Sequence, residues 1–384
     1  MIEVLLILFS FNIFSQTTLI DKKYENYLDI SFGQGIRKTG DYYQVSGNID
    51  CSFGFLYKYD YKNYLFSSIS LGYNGMPIDF KRSLDEKIID KSFIIEWRRK
   101  IDNNILRINL SYLYEKFKQG TSSTFEDNIY NNVRKGLGIN YDISYDKGIL
   151  NIGFIYRNIK FPNYTDLLNE IKNNSYSDDG LYDNNLYKLD FRLKHLNYFT
   201  SFSYTIQNYL NQRVLSSDGT YSGSKEKNKS YDFKLGLEEK IYEIYFYPYL
   251  LFSIYRSNQN FLRFKSITDI NPVFVKDAYS YNEYGVFLPF MYVLKDFSFG
   301  FEIKYIKKDY IHRNARDLNN EYLSEKQKDK KTTLTLSISR KIDEISDIVI
   351  VYYWLVSSST NKYDVYLPLN YNSNYIGIEY RIKL

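Results

Sequence analysis

The stretch Tyr375-Ile-Gly-Ile-Glu-Tyr-Arg-Ile-Lys-Leu384 decides the fold. Ile376, Ile378, Tyr380, Ile382 and Leu384 are apolar, whereas Gly377, Glu379, Arg381 and Lys383 are small or charged. Successive side chains of a strand point to opposite faces, so this segment has one apolar side and one wet side. The rhythm recurs along the chain in sixteen segments. These are Tyr27–Ile36, Tyr43–Lys58, Tyr64–Asn74, Ser92–Ile101, Ile105–Lys116, Leu137–Asp146, Ile149–Phe161 and Leu186–Lys194. Tyr198–Tyr209, Tyr231–Glu238, Ile241–Ile254, Tyr279–Leu294, Phe297–Ile306, Thr332–Ile342, Ile345–Val356 and the run from Asn374 complete the set. In Tyr43–Lys58, for example, Tyr43, Val45, Ile49, Cys51, Phe53 and Phe55 oppose Gln44, Ser46, Asn48, Asp50 and Ser52.

The connections alternate in length. Those near residues 60, 103, 147, 195, 239, 295 and 343 are short, and Asp102-Asn103-Asn104 and Asp146-Lys147-Gly148 carry hairpin signals. Those near 82, 126, 174, 219, 267, 319 and 365 are long and rich in Asn, Ser, Asp, Lys and Gly, and the first of this series, near 40, is the one modest case. A soluble sandwich has no reason to keep every second connection short, and a propeller needs four strands per period where two long ones stand here. This pattern, with the alternation counted back from Leu384, resembles bacterial outer-membrane β-barrels, in which the last strand pairs with the first. The resemblance implies a closed antiparallel up-and-down barrel of about sixteen strands, with fourteen as the alternative, short periplasmic turns, long extracellular loops and no plug domain. It departs from the pattern at Leu384, where an aromatic residue is usual. Closure would set Glu379, Arg381 and Lys383 against Asp29, Ser31 and Gly33.

Composition agrees. Tyr supplies 43 residues, Phe 27 and Pro only 6 of the 384, which suits pleated surfaces and membrane interfaces. Beyond the N-terminus no apolar run is long enough for a membrane helix. Met1–Gln16 has the apolar core and polar end of a secretory signal, although Glu3 replaces the usual basic residue. Its Phe-Ser-Gln ending resembles signals of the Bacteroidota. The expected organisation is a signal peptide over 1–16, a short periplasmic segment over 17–26 and the barrel over 27–384, placed in the outer membrane of a Gram-negative bacterium after Sec-type export. Net charge is only +5, so no nucleic-acid partner is expected. Cys51, alone, reads as a small apolar residue on a strand face.

Assigning the apolar face to lipid leaves a polar set facing the lumen: Glu96, Arg98, Arg107, Asp142, Arg157, Lys188, Asp190, Arg192, Asp232, Lys234, Glu302 and Lys304. This set fits a water-filled channel whose charges bias solutes, or equally a salt-bridged interior that stiffens the barrel. One sector is aromatic on both faces, and Tyr245, Tyr247, Tyr249 and Phe287 form a candidate lumen patch. That patch could stack sugar rings, receive a folded-in loop or make a subunit contact. The loop Pro162–Asn185, with a short amphipathic pattern at Asp166–Ile171, is the candidate insert.

Catalytic signals are poor. His195 falls at a short turn, and His312 in an expected basic loop that also holds Lys307, Arg313, Arg316, Lys326 and Lys328–Lys331. No metal spacing, phosphate loop or dinucleotide fingerprint appears, so no enzyme activity, metal or cofactor is expected. The leading expectation is a porin-like channel for passive passage of small polar solutes. A non-conducting envelope anchor or assembly protein, as in secretion or gliding machinery, is the alternative, and an outer-membrane hydrolase a distant third. Expected partners are outer-membrane lipid and lipopolysaccharide, the barrel-assembly machinery during insertion, small solutes and, compatibly, further copies of the chain.

Overall fold

A computed structural model describes residues 23–75, 86–119, 125, 128–164, 180–263, 272–363 and 369–384. The expected signal segment over 1–16, the Pro77 loop and the amphipathic pattern at Asp166–Ile171 lie outside these residues. The chain runs through β1 (Tyr24–Thr39), β2 (Tyr42–Lys58), β3 (Asn63–Gly75), β4 (Glu86–Ile101), β5 (Asn104–Gln119), β6 (Asn132–Tyr145) and β7 (Gly148–Lys160). It continues through β8 (Asn184–His195), β9 (Tyr198–Leu215), β10 (Tyr221–Leu237), β11 (Glu239–Ile241), β12 (Ile244–Phe246) and β13 (Tyr249–Ser257). After β14 (Phe261–Arg263) and β15 (Val273–Val275) come β16 (Tyr281–Leu294), β17 (Phe297–Arg316), β18 (Tyr322–Lys341), β19 (Ser346–Ser359) and β20 (Tyr371–Lys383).

Sixteen of these strands close into one antiparallel ring, each paired with its sequence neighbour. Strands β11 and β12 extend the ends of β10 and β13 beyond a break, and β14–β15 is a hairpin outside the ring. Each of the sixteen expected segments has its ring strand, and the alternative count of fourteen falls. The seam joins β20 to β1. Asp29 stands opposite Lys383, Ser31 opposite Arg381 and Gly33 opposite Glu379, as the alternation from Leu384 required. Leu28 and Leu384 exchange both backbone hydrogen bonds, at 2.9 and 2.8 Å.

Alternation assigns the two faces. Phe32, Ile49, Leu110 and Ile378 are 49, 47, 59 and 52% exposed although strands flank them on both sides. On the opposite parity Glu96, Glu302 and Arg381 are only 7, 6 and 4% exposed. Large apolar groups exposed on the convex side and buried ionic groups on the concave side are the inverse of a water-soluble protein. Cys51 takes its place in the outer face, between Ile30 and Leu71 in register.

The short turns sit at the end that carries Leu384. At 102–103, 196–197, 242–243 and 295–296 they begin with a residue in the left-handed region, φ 53, 52, 55 and 51° at Asp102, Leu196, Tyr242 and Lys295, the backbone that two-residue hairpins need. At the other end the strands run further than alternation showed. β17 and β18 are 20 residues each, so the expected basic loop around His312 is mostly paired strand and only 317–321 connects them. Similarly, β1 begins at Tyr24 rather than Tyr27.

The expected segment Ile241–Ile254 is interrupted at Tyr247-Pro248. The reason lies across the ladder, where Pro289 occupies β16 and its carbonyl accepts from Tyr247 N at 3.1 Å. Both prolines lack the N–H that a ladder uses. Two missing donors at one level open the sheet there.

Candidate functional site: the inner wall

The inner face is built from local ion pairs. On β4 Glu96 meets Arg98 at 2.5 Å, two residues along the same strand and so on the same face. Arg107 on β5 reaches Asp142 on β6 at 2.8 Å, and Asn151 on β7 donates to the same carboxylate. Arg134 pairs with Glu115, Lys188 with Asp190 at 2.9 Å, and Arg381 gives two hydrogen bonds to Glu379 at 2.8 and 3.0 Å. Ser253 donates to Asp232. Arg157 lies against Gly136, where a Cβ would stand 3.4 Å from its side chain. Every ion pair among the described residues joins positions on one strand, on neighbouring strands or on strands two apart.

The aromatic patch forms only in part. Tyr249 stacks on Phe287 with centroids 4.2 Å apart and planes within 8°. Phe199 joins them, 5.0 Å from Tyr247 and 6.4 Å from Tyr249. Cations cap this row: Arg192 lies over Phe199 at 5.4 Å, Lys234 over Tyr249 at 5.7 Å and Lys304 over Phe287 at 5.0 Å. Arg192 also donates to the Tyr247 hydroxyl at 2.6 Å, while Lys194 holds Glu238 at 2.9 Å. The ring faces are thus taken by one another and by cations, an arrangement worth roughly 1 kcal/mol per contact. Tyr245 stands apart, 39% exposed, beneath Lys240 at 4.9 Å. Phe199 was missed because it follows Tyr198 directly, and an apolar residue at an inner position was the available signal.

A second aromatic group sits at the long-connection end. The described ends of the β7–β8 connection bring Tyr164 and Tyr182 together at 3.9 Å. Tyr182 then meets Tyr209 at 5.9 Å and Phe161 at 6.3 Å, and Tyr130 meets Tyr164 at 6.0 Å. Tyr209 shares the inner parity of Ser203, the partner of Asp190. The described part of this connection therefore turns toward the inner side onto Tyr209, not onto Tyr249 and Phe287.

The histidines occupy opposite ends. His195 closes β8 with its ring stacked on Tyr145, centroids 5.9 Å apart. His312 lies within β17 and is exposed, a correction to its expected place in a loop. Among the described residues no three His, Cys, Asp or Glu side chains gather as a metal site.

A closed sixteen-strand ring, apolar outside and ionic inside, defines an outer-membrane-type β-barrel. No protein-family model matches the sequence, nor does any curated protein. Among solved structures the chain is similar to in-vitro folded OmpT, an outer membrane protein of Vibrio cholerae, at TM-score 0.49 and 10% identity over 96% of this chain and 100% of that one. It is also similar to a bacterial polysaccharide outer membrane secretin (TM-score 0.46, 10% identity, 95 and 100% covered). CdiB from Acinetobacter baumannii aligns at TM-score 0.46 and 8% identity over 93% of this chain and 60% of its own. At such identities none of them lends this chain a function.

Proposed function

We propose that the barrel is a channel for the passive passage of small polar solutes across the outer membrane of a Gram-negative bacterium, reached by Sec-type export. The observation that carries this reading is the lateral arrangement of the inner charges. The carboxylates of Glu96, Asp142, Asp190 and Glu379 are each paired with a cation along the wall, Asp232 accepts from Ser253, and among the described residues no ion pair crosses the ring. A stiffening core would bridge facing walls. Lateral pairing instead leaves the axis to water, as a ring of sixteen strands allows.

The outer face supports the orientation. At the long-connection end of the apolar belt, Lys38, Lys116 and Lys307 lean over Tyr43, Tyr114 and Tyr284 at 5.1, 5.6 and 5.8 Å. Each ammonium sits over an aromatic face, and that of Lys307 is also held by Asp309 at 2.7 Å; a basic rim at this end suits the phosphate groups of lipopolysaccharide in the outer leaflet. The short-turn end carries Tyr57, Tyr145 and Phe297 instead, an interfacial aromatic edge.

Planar-bilayer recording tests the channel. Purified folded protein should show ohmic unitary currents. A folded preparation that inserts and never conducts would refute the reading in favour of a non-conducting anchor.

A further inference from the structure

We propose a binding site for a phosphate-bearing ligand at the long-connection end, built by Arg263 and Arg316 around Asn320. Arg263 closes β14, in the hairpin outside the ring, and is only 4% exposed. One of its amino groups donates to the Asn320 carbonyl, and the guanidinium lies over Tyr322 at 4.8 Å. Its Nε and Nη1 are buried and have no hydrogen-bond partner. Arg316, the last residue of β17, donates to the side-chain oxygen of the same Asn320 at 3.0 Å and lies over Tyr363 at 4.9 Å. Asn320 holds both from a turn with φ 69°.

Two guanidinium groups thus converge on one residue, and among the described residues neither forms an ion pair. The nearby Asp317 carboxylate is turned into its own loop, accepting from the backbone of Asn319 and Glu321 at 2.9 and 2.8 Å. A buried cation with two unmet donors is costly unless an anion completes it. Guanidinium donors match oxyanions with several acceptor oxygens.

The surroundings select a multiply charged ligand larger than a bare ion. Tyr322 also lines a cavity of about 320 Å³ whose other walls include Lys276, His312, Asn314 and Lys326. Among the described residues no carboxylate lines it. Lys326 is fixed there by the Asn314 side chain at 2.7 Å. A phosphate on the arginines with its carrier group in this cavity fits the charge and the space. The carrier is either a soluble phosphorylated solute or the headgroup of a phosphorylated lipid, and the site chemistry is shared by both.

Calorimetric titration of the full-length folded protein in detergent with inorganic phosphate tests the site, against sodium chloride at matched ionic strength. Phosphate should bind saturably, one per chain, and Arg263→Gln and Arg316→Gln should each weaken binding by about tenfold or more. Lys229→Gln, on the outer face of β10, should leave it unchanged. Phosphate should also raise the melting temperature of the parent protein and not of the Arg316→Gln variant, which keeps a readout if Arg263→Gln folds poorly. A second arm uses nanodiscs with and without phosphatidic acid. Arginine-dependent enrichment of that lipid, without binding of free phosphate, supports the site and assigns the lipid source. Phosphate binding that either variant leaves intact, or no arginine-dependent binding in both arms, overturns the site. Neither arm measures conductance, so failure here is separate from failure of the channel reading.

Discussion

The seam between β20 and β1 and the wall where β10, β13 and β16 meet share one alternation but are held differently. At the seam the ladder runs unbroken from Asp29–Lys383 to Thr39–Ser373. Its inner face is small and ionic. Tyr375 lies over Gly35 and Gly377, where a Cβ would stand 2.3 Å from its hydroxyl, and the buried Glu379–Arg381 pair lies beside them. At the wall Pro248 and Pro289 open the ladder, and the stacked Phe199, Tyr247, Tyr249 and Phe287 fill the inner side. Where backbone pairing is complete, small residues and one ion pair suffice. Where it is interrupted, side-chain area replaces it.

The largest test of this contrast is Arg381→Ala. It strips the buried Glu379 of both its hydrogen bonds from Arg381 and should destabilise the barrel by about 3–5 kcal/mol, read as a lowered urea midpoint in lipid vesicles. A change below about 1 kcal/mol would show that the seam stands on its ladder alone. Phe287→Ala, at a residue 5% exposed, should cost about 3 kcal/mol by opening a cavity beside Tyr249. Because the two regions share no partner, the double variant should be additive within about 0.5 kcal/mol, and strong coupling would break the comparison. Tyr247→Phe removes the acceptor of Arg192 and should cost about 1 kcal/mol, with little change if the ring stack alone matters.

The smallest effect concerns the turns. Beside the seam, the 59–62 turn is held by Asp60, whose carboxylate accepts from Lys62 N at 2.7 Å and Asn63 N at 2.9 Å. Hydrogen bonds from the Asn63 side chain and then the Lys62 backbone lower its pKa. A lowered carboxylate pKa means that the turn's support is present above the ordinary value and lost as pH falls through the folded one. Protection of the Lys62 and Asn63 amides from exchange should therefore fall on acidification. The 242–243 turn at the wall, set by the left-handed Tyr242, should not respond. Equal acid response at both would remove this distinction.

Much of this was legible in the chain. That Glu379, Arg381 and Lys383 face Asp29, Ser31 and Gly33 was legible from shared parity, because a one-residue slip would turn every apolar side chain of the strand inward, and the structure then set Glu379 opposite Gly33. Less legible were the ends. Lys307 and Lys328 sit in paired strand, yet polar residues on both faces erase the period-2 signal once a strand passes beyond the apolar belt. The break at Pro248 needed its counterpart, Pro289, some forty residues away in sequence.

The sequence by itself determined the inward and outward assignment and which residues of the first and last strands face each other, since period-2 alternation and turn chemistry are local properties. The choice of sixteen strands over fourteen came with the closed ring. Only the tertiary structure decided which charges pair along the wall, that Phe199 completes an aromatic row without Tyr245, and that Arg263 and Arg316 meet at Asn320. Those contacts join side chains from elements distant in sequence, and their geometry is set by ring closure and strand pairing rather than by any neighbour in the chain.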